Sequence, residues 1–172
     1  WSSDVCSSDL GHGGRFFHAP LIATLPGATF VGVVTRSPER REQLSADLPG
    51  VKAFDSIGQI VEAGVDALVI STTLKGRPAL VLEAIEHGVA VVSDKPFAAN
   101  AEQAQVLITA AERHGVLLSV YQNRRWDSDF LTLRKLIDAG ALGAVTRFES
   151  CVERFSPQEI GRASCRERVY GE

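Results

Sequence analysis

Short apolar runs alternate along this chain with segments in which apolar residues recur at helical spacing. The runs are rich in valine and bounded by turn residues, which is typical of buried strands, and they lie at 30–34, 51–54, 67–71, 90–92 and 117–120. The helical segments lie between them at 38–46, 57–63, 78–87 and 101–114. Near-continuously apolar strands are covered on both faces, so the alternation predicts an α/β fold with a doubly wound parallel sheet.

Capping residues mark where three of these helices begin. Ser37 followed by Pro38 is typical of a helix start, because serine accepts a hydrogen bond from a free amide and proline fits the first helical position. Asn100 is expected to cap the longest helix, and either Asp55 or Ser56 the short one. We therefore expect helices to begin directly after these residues.

The pattern changes after Tyr121. The next residues are polar and aromatic, 128–139 have helical periodicity, and side chains alternate imperfectly between polar and apolar over 145–153. Such alternation favours an antiparallel strand with one solvated face. We therefore expect one domain over 11–121 and the start of a second, truncated α+β domain over 122–158.

The two ends of the chain differ in character from the rest. Residues 1–10 and 159–172 resemble translated sequencing-adapter DNA, so we set them apart from the fold and the site. The alternative is that both are natural polar tails. On the adapter interpretation the strand that should precede Gly11 is replaced, and Cys151 is the one cysteine of 11–158.

Composition excludes several classes of function. The 172 residues carry a formal net charge of −3 without a block of like charge, so no nucleic-acid partner is expected. No apolar run approaches the ~20 residues that span a bilayer, so no membrane partner is expected. The histidines show no metal-ligand spacing. A single cysteine outside the two ends argues against a disulfide framework and favours a reducing compartment such as the cytoplasm.

A glycine-rich loop at the start of 11–121 runs into an apolar-periodic segment that ends at Leu25. It consists of Gly11, His12, Gly13, Gly14 and Arg15. Dinucleotide-binding loops carry a Gly-x-Gly-x-x-Gly pattern, because glycines allow a tight turn and a close approach of the backbone to the pyrophosphate. Gly11 and Gly14 have the spacing of the second and third glycines, whereas Asp9 takes the first position. The loop indicates a phosphate site, and a plain surface loop is the alternative.

The end of the second strand carries no acid. NAD-binding folds place an Asp or Glu about 20 residues after the glycines, where it binds the ribose 2′-hydroxyl. This chain has Thr35, Arg36 and Ser37 there, and Arg40 and Arg41 follow. Arginine and serine suit a 2′-phosphate, so we expect NADP to be favoured over NAD. The alternative is that these arginines form the solvated start of a helix.

Lys95 directly follows a buried strand, in the sequence Ser93-Asp94-Lys95-Pro96. Open α/β sheets bind ligands outside the carboxyl ends of their strands, so a functional lysine is expected at this position. Pro96 stiffens the bend that aims the lysine. The alternative is a surface lysine at a strand end.

These motifs together resemble those of the Gfo/Idh/MocA oxidoreductases, the relatives of glucose–fructose oxidoreductase and inositol dehydrogenase. The segments that carry the resemblance are the glycine loop, 17–22 (FHAPLI), 94–97 (DKPF) and 123–129 (NRRWDSD). The resemblance implies a Rossmann dinucleotide-binding domain over 11–121. It also implies a nicotinamide-dependent dehydrogenase that acts on a sugar, polyol or related hydroxy compound and that forms a homo-oligomer when full length.

The resemblance further implies roles for single residues. Lys95 matches the lysine of the family's Glu/Asp-Lys-Pro motif, near the nicotinamide and the substrate hydroxyl, and is the expected catalytic residue. Thr72 is expected at the cofactor ribose. The residues expected to bind the cofactor are Gly11, Gly13, Gly14, Arg15, Thr35, Arg36, Ser37, Thr72, Lys95, Pro96, Asn123, Arg124, Arg125 and Trp126. For the last four, a salt-bridged hinge between domains, with Trp126 in its core, is the alternative.

The chain departs from the family pattern after the fourth strand. The family has Thr-Pro-Asn there and a histidine a few residues later, whereas this chain has Thr72-Thr73-Leu74 and then Arg77. His18 lies beside the glycine loop, where an approach to the cofactor is one possibility, but as a lone helix histidine it is expected to be structural. Further catalytic residues of the family lie beyond 158, so this chain alone is expected to be inactive. The other readings are a non-catalytic NAD(P)-binding sensor and a lyase-like or synthase-like use of the fold.

Overall fold

The computed structural model describes residues 3–8 and 10–151. Its strands are β1 (Ser3–Ser8), β2 (Ala28–Val34), β3 (Lys52–Phe54), β4 (Ala67–Ile70), β5 (Ala90–Ser93) and β6 (Leu118–Val120). They form one parallel sheet in the order β3-β2-β1-β4-β5-β6. The helices are α1 (Ala19–Thr24), α2 (Pro38–Asp47), α3 (Ile57–Glu62), α4 (Arg77–Glu86), α5 (Ala101–His114) and α6 (Ser128–Asp138). A π-helical segment, Gly14–His18, leads into α1, and a 3-10 helix, Asn123–Trp126, precedes α6.

Helices cover both faces of this sheet, which confirms the predicted doubly wound α/β fold. Neighbouring residues of a strand point to opposite faces. Cys6 packs in the cluster that joins the sheet to α3, α4 and α5, together with Leu68. Val5 directly precedes Cys6, and Val69 directly follows Leu68. Both valines pack against Ile22 of α1 on the other side of the sheet. The two apolar clusters therefore lie on opposite faces of β1 and β4.

The helix starts lie where the capping residues predicted them. The Ser37 hydroxyl accepts from the Arg40 amide at 3.4 Å, and the Asn100 side chain accepts from the Gln103 amide at 2.8 Å. Of the two candidates for α3, Ser56 is the cap. These bonds satisfy amides at the first turn that have no partner inside the helix.

The central strand of the sheet comes from residues that we set apart on their sequence. Within 1–10, Ser3–Ser8 pair in parallel with β2 on one edge and with β4 on the other. Val5 and Cys6 supply one apolar side chain to each face, and the small side chains of Ser7 and Ser8 are buried. A short polar segment therefore fills the place of the strand expected before Gly11. Its likeness to adapter sequence stays a prediction.

The described chain divides after Arg124 into two units. The second unit contains α6, as the helical periodicity predicted, but the strand predicted over 145–153 does not form within 145–151. Residues 152 and 153 lie outside the described range. A strand requires a neighbour for its ladder hydrogen bonds, and the six described strands pair only among themselves. The alternation of polar and apolar residues along this segment is therefore not enough to predict a strand when no neighbouring strand is there to pair with it.

Membrane-spanning helices and metal-binding clusters are both absent from the residues that the structure describes. Over 3–8 and 10–151, no helix is both long and apolar enough to cross a membrane. In the same ranges, His, Cys, Asp and Glu side chains do not come together in a group that could hold a metal ion.

Candidate dinucleotide site

The carboxyl ends of the strands meet at one edge of the sheet, where β1 lies between β2 and β4. This is the point at which the strand order reverses, and open α/β sheets bind ligands there. Two clefts lie at this edge. The strand-end cleft, about 510 Å³, is lined by the last residue of β1 and by residues that follow β2, β3 and β4. The lysine cleft, about 280 Å³, is lined by the glycine loop and the Lys95 turn.

Gly13 allows the glycine loop to approach the neighbouring strand ends closely. A Cβ atom at this position would lie 3.2 Å from Asp94 Oδ2 and 3.7 Å from Ser71 Cβ. The Arg15 amide donates to the Gly11 carbonyl at 2.9 Å and so closes the first helical turn of the loop. The Arg15 guanidinium is directed elsewhere, to Asp47 at 2.7 Å, and lines a separate cleft.

The strand-end cleft brings together the four residues expected near the adenosine half of a cofactor, namely Thr35, Arg36, Ser37 and Thr72. Ser8 also lines it. The hydroxyls of Ser8 and Thr72 are buried and have no hydrogen-bond partner within the described part of the chain. Buried polar groups are normally satisfied, so the hydroxyls of these two cleft-lining residues are available for a hydrogen bond to a bound polar group.

The lysine cleft contains the expected catalytic residue. Lys95 lies there with Gly13, Asn123 and Arg124. The Lys95–Pro96 peptide bond is cis. Arg125 and Trp126, which were expected near the nicotinamide side at the start of the second domain, belong to the second unit, and the Trp126 side chain is exposed.

Arg77 holds the Lys95 turn to the end of β4. Arg77 is 4% exposed, and its guanidinium donates to the carbonyl of Asp94 at 2.8 Å. It also donates to the carbonyls of Pro96 and Thr72. Burial lowers the pKa of Arg77, and the nearby Asp94 carboxylate acts in the opposite direction. The sequence analysis noted Arg77 only as a departure from the family pattern. An arginine on the first turn of an apolar helix was the one feature that could have indicated a buried, hydrogen-bonded side chain.

The Asp94 carboxylate lies at the centre of a buried polar cluster. It accepts from the Lys95 amide at 2.9 Å, and the His18 imidazole lies 3.7 Å away, Nε2 to Oδ2. This separation is an ion-pair distance and too long for a hydrogen bond, and His18 Nε2 has no other partner in the described structure. The His18 ring is buried and lies 4.4 Å, centroid to centroid, from that of Tyr121.

The charges of this cluster act on the titration of Asp94. Burial on its own raises the pKa of the Asp94 carboxyl. The interaction with His18, the Lys95 amide and the charge of Arg77 outweigh burial, so the pKa lies below its usual value. Burial and the Asp94 carboxylate together raise the pKa of Tyr121. The turn that carries Lys95 is therefore supported by an ionised carboxylate.

Comparison with known proteins matches residues 10–122 to the family GFO_IDH_MocA, described as an oxidoreductase family with an NAD-binding Rossmann fold. The chain belongs to this family. This confirms the family resemblance and places the glycine loop, the strand-end cleft and the Lys95 turn inside the family's Rossmann domain.

Several relatives resemble the chain over most of its length. It is 42% identical over 149 residues to the uncharacterized oxidoreductase YdgJ of Escherichia coli (strain K12), covering 86% of this chain and 42% of YdgJ. It is 37% identical over 156 residues to the scyllo-inositol 2-dehydrogenase (NADP(+)) IolW of Bacillus subtilis (strain 168), covering 89% of this chain and 43% of IolW. The structure of the oxidoreductase YPO2259 from Yersinia pestis superimposes with a TM-score of 0.88 at 36% identity, over 94% of this chain and 46% of that one. The chain thus spans less than half the length of these relatives.

The structure adds residues to this Gfo/Idh/MocA site that sequence reasoning left out. His18 was expected to be structural, yet it lines the lysine cleft beside Asp94. Tyr121 was treated only as the end of a domain. Asp55 was considered as a helix cap, whereas it lines the strand-end cleft. Each of these residues comes from an element distant in sequence from the motif it joins, so no local pattern showed it.

Proposed function

We propose that the full-length protein is an NADP-dependent oxidoreductase that transfers hydride between the nicotinamide and a sugar, polyol or related hydroxy compound. The observation that carries the proposal is that Lys95 and Gly13 line one cleft at the edge where the strand order reverses. Family membership supports the nicotinamide cofactor. The printed name of the relative IolW, a scyllo-inositol 2-dehydrogenase (NADP(+)), supports both the substrate class and NADP over NAD.

The residues present fit such a cofactor. The strand-end cleft measures about 510 Å³, within the range of small-molecule and cofactor sites, and the lysine cleft adds about 280 Å³. The open hydroxyls of Ser8 and Thr72 are matched to ribose or phosphate oxygens by their chemistry. In the proposal, Gly11, Gly13 and Gly14 face the pyrophosphate, while Arg36 and Ser37 take the 2′-phosphate of NADP.

The remaining cofactor contacts in the proposal fall into two groups. Thr35 and Thr72 lie in the strand-end cleft, on the adenosine side. The residues proposed for the nicotinamide side are Lys95, Pro96, Asn123, Arg124, Arg125 and Trp126. We leave Arg15 out of the set because its guanidinium is bound to Asp47.

The bound nicotinamide supplies the hydride chemistry, and Lys95 supplies the proton chemistry. The Lys95 ammonium donates a hydrogen bond to the substrate oxygen and stabilises negative charge on it. In its neutral amine form Lys95 accepts the hydroxyl proton when the alcohol is oxidised, and the resulting ammonium returns that proton when the carbonyl is reduced. Arg77 and Asp94 hold the backbone on either side of the lysine, so the side chain extends from a fixed main-chain position. Such positioning lowers the entropic cost of reaching the reactive geometry.

The test uses the full-length protein with NADP(H) and a panel of inositols, sugars and their keto forms. Lys95→Ala is expected to lower kcat by a factor on the order of 100 or more, while the Kd for NADPH changes far less. Lys75→Ala is the control, because Lys75 is exposed and lines neither cleft. Retained turnover in Lys95→Ala would overturn the catalytic role, and NADPH binding without hydride transfer in the wild type would favour a sensor.

A cytoplasmic location and a homo-oligomeric full-length protein are also part of the proposal. Cys6 and Cys151 are free thiols in the described residues, which supports a reducing compartment. The oligomer rests on family resemblance alone. Light scattering on the full-length protein tests it, and a monomeric mass would contradict it.

A further inference from the structure

The end of β3 brings an acid to the place where β2 lacks one. Val34 and Phe54 are partners in the parallel ladder, so Thr35 and Asp55, the residues that follow them, are neighbours. The Thr35 amide donates to the Phe54 carbonyl at 2.9 Å and holds them together. Asp55 lines the strand-end cleft along with Thr35 and Arg36. A carboxylate is therefore present in the cleft, supplied by the neighbouring strand.

Arg41 is bound to this carboxylate. Its guanidinium lies 2.6 Å from Asp55 Oδ1 and donates twice to the Thr35 carbonyl, at 3.0 and 3.2 Å. The Nε group of Arg36 donates to the main-chain carbonyl of Asp55 at 3.0 Å. Arg41 thus offsets the charge of Asp55 and supports the loop, and the backbone of Asp55 orients Arg36.

We infer that Asp55 is a specificity-determining residue that limits the preference for NADP over NAD. The inference rests on the proposed function, in which this cleft holds the adenosine ribose. A 2′-phosphate carries a charge of about −1.5 to −2 at pH 7 and is repelled by a carboxylate in the same cleft. A 2′-hydroxyl instead donates a hydrogen bond to that carboxylate. Both effects favour NAD relative to NADP.

The test replaces the carboxylate with an amide of the same shape. Asp55→Asn in the 172-residue chain is expected to raise the ratio of NADPH to NADH affinity roughly threefold to tenfold at low ionic strength. The pair 2′,5′-ADP and 5′-ADP is expected to show the same change, because it isolates the 2′ substituent. Titration calorimetry measures all four affinities, and circular dichroism confirms that the variant folds.

Asp138→Asn is the matched control. Asp138 pairs with Arg134 at 3.7 Å and does not line the cleft. Its side chain is 68% exposed, against 62% for Asp55. The control removes the same charge and also breaks an exposed Arg–Asp pair, so it is expected to leave the affinity ratio unchanged.

A double-mutant cycle separates repulsion by Asp55 from direct phosphate binding by Arg41. Arg41→Gln leaves the Asp55 carboxylate without its partner, so the preference for NADPH is expected to fall. In the Asp55→Asn background the same change is expected to lower the preference by less, because only the direct attraction of Arg41 for the phosphate is then lost and no carboxylate is released from its pair. A larger effect of Arg41→Gln in the Asp55→Asn background would contradict the inference.

The outcomes distinguish this inference from the proposed function. If the wild type binds NADPH and Asp55→Asn leaves the ratio unchanged or lowers it, Asp55 does not limit the preference, and this inference alone is overturned. If the wild type binds none of the four nucleotides, the nucleotide site itself is overturned, and the role of Asp55 falls with it.

Discussion

The Arg77 guanidinium donates to the main-chain carbonyl of Asp94 at 2.8 Å and so joins the first turn of α4 to the turn that carries Lys95. The same side chain reaches the carbonyls of Thr72 and Pro96. One buried cation therefore satisfies three carbonyls at the ends of two neighbouring strands, and the position of Lys95 depends on it.

Replacing Arg77 is expected to destabilise the fold strongly. Arg77→Met keeps much of the apolar stem but leaves the three carbonyls without their donor, and an unsatisfied buried polar group costs about 1–3 kcal/mol. We expect the free energy of unfolding in urea to fall by about 3 kcal/mol. Arg134→Met is the control, since Arg134 is 68% exposed and its ion pair contributes less than about 1 kcal/mol. Equal losses of unfolding free energy in the two variants would contradict the role of Arg77 in holding the Lys95 turn.

Asp94 is expected to make stability depend on pH in the acid range. The pKa of its carboxyl is lower in the folded state than the usual value of ~3.9. The ionised carboxyl therefore stabilises the fold above pH ~4, and this contribution is lost as the pH falls through the folded-state pKa. Asp94→Asn is expected to be less stable than the wild type at pH 7, with a difference that shrinks below pH ~4. Urea unfolding at pH 7 and at a pH below ~4 measures this difference in stability.

Asp129→Asn is the matched control for this prediction. Asp129 accepts a hydrogen bond from the amide of the next residue at 2.7 Å, as Asp94 does from the amide of Lys95. Unlike Asp94, Asp129 is exposed. We expect a change under about 0.5 kcal/mol at either pH. A pH-independent difference between Asp94→Asn and the wild type would show that the charge of Asp94 does not stabilise the fold.

Gly32 in β2 is expected to tolerate no side chain. A Cβ atom there would lie 2.7 Å from Cδ2 of the Phe54 ring and 2.9 Å from the Lys52 carbonyl oxygen, so the ring or the strand has to move. Gly32→Ala is expected to lower the free energy of unfolding by about 1–3 kcal/mol. Gly58→Ala is the control, because its Cβ would have no neighbour nearer than 3.7 Å and alanine favours a helix. A neutral Gly32→Ala would show that β3 shifts freely.

Cys6 is expected to resist thiol reagents in the native protein. Burial, with a smaller contribution from Asp4, raises the pKa of its thiol to about 12. Since the thiolate is the reactive form, alkylation at pH 8.5 is expected to be at least about a hundredfold slower at Cys6 than at the exposed Cys151. Peptide mapping by mass spectrometry measures each site, and the difference is expected to vanish in urea. Comparable native rates would mean that β1 opens readily.

The residues of the candidate site differ in whether the sequence alone predicted their place. Thr35, Arg36 and Ser37 follow one another at a strand end, so their joint place in the strand-end cleft was predictable. Lys95 was predictable for the same reason. Asp55 joins the first group only through the pairing of β2 with β3, and strand pairing between separate segments leaves no local pattern.

The sequence by itself determined the order of helices and strands after the glycine loop, and the helix starts at Ser37 and Asn100. Periodicity and capping are local, because each depends on residues three or four apart. Only the tertiary structure decided that the polar segment Ser3–Ser8 is the central strand and that His18 and Arg77 meet at Asp94. These outcomes depend on which elements become neighbours, and that choice is made by burial of the whole sheet, since a central strand needs partners on both edges.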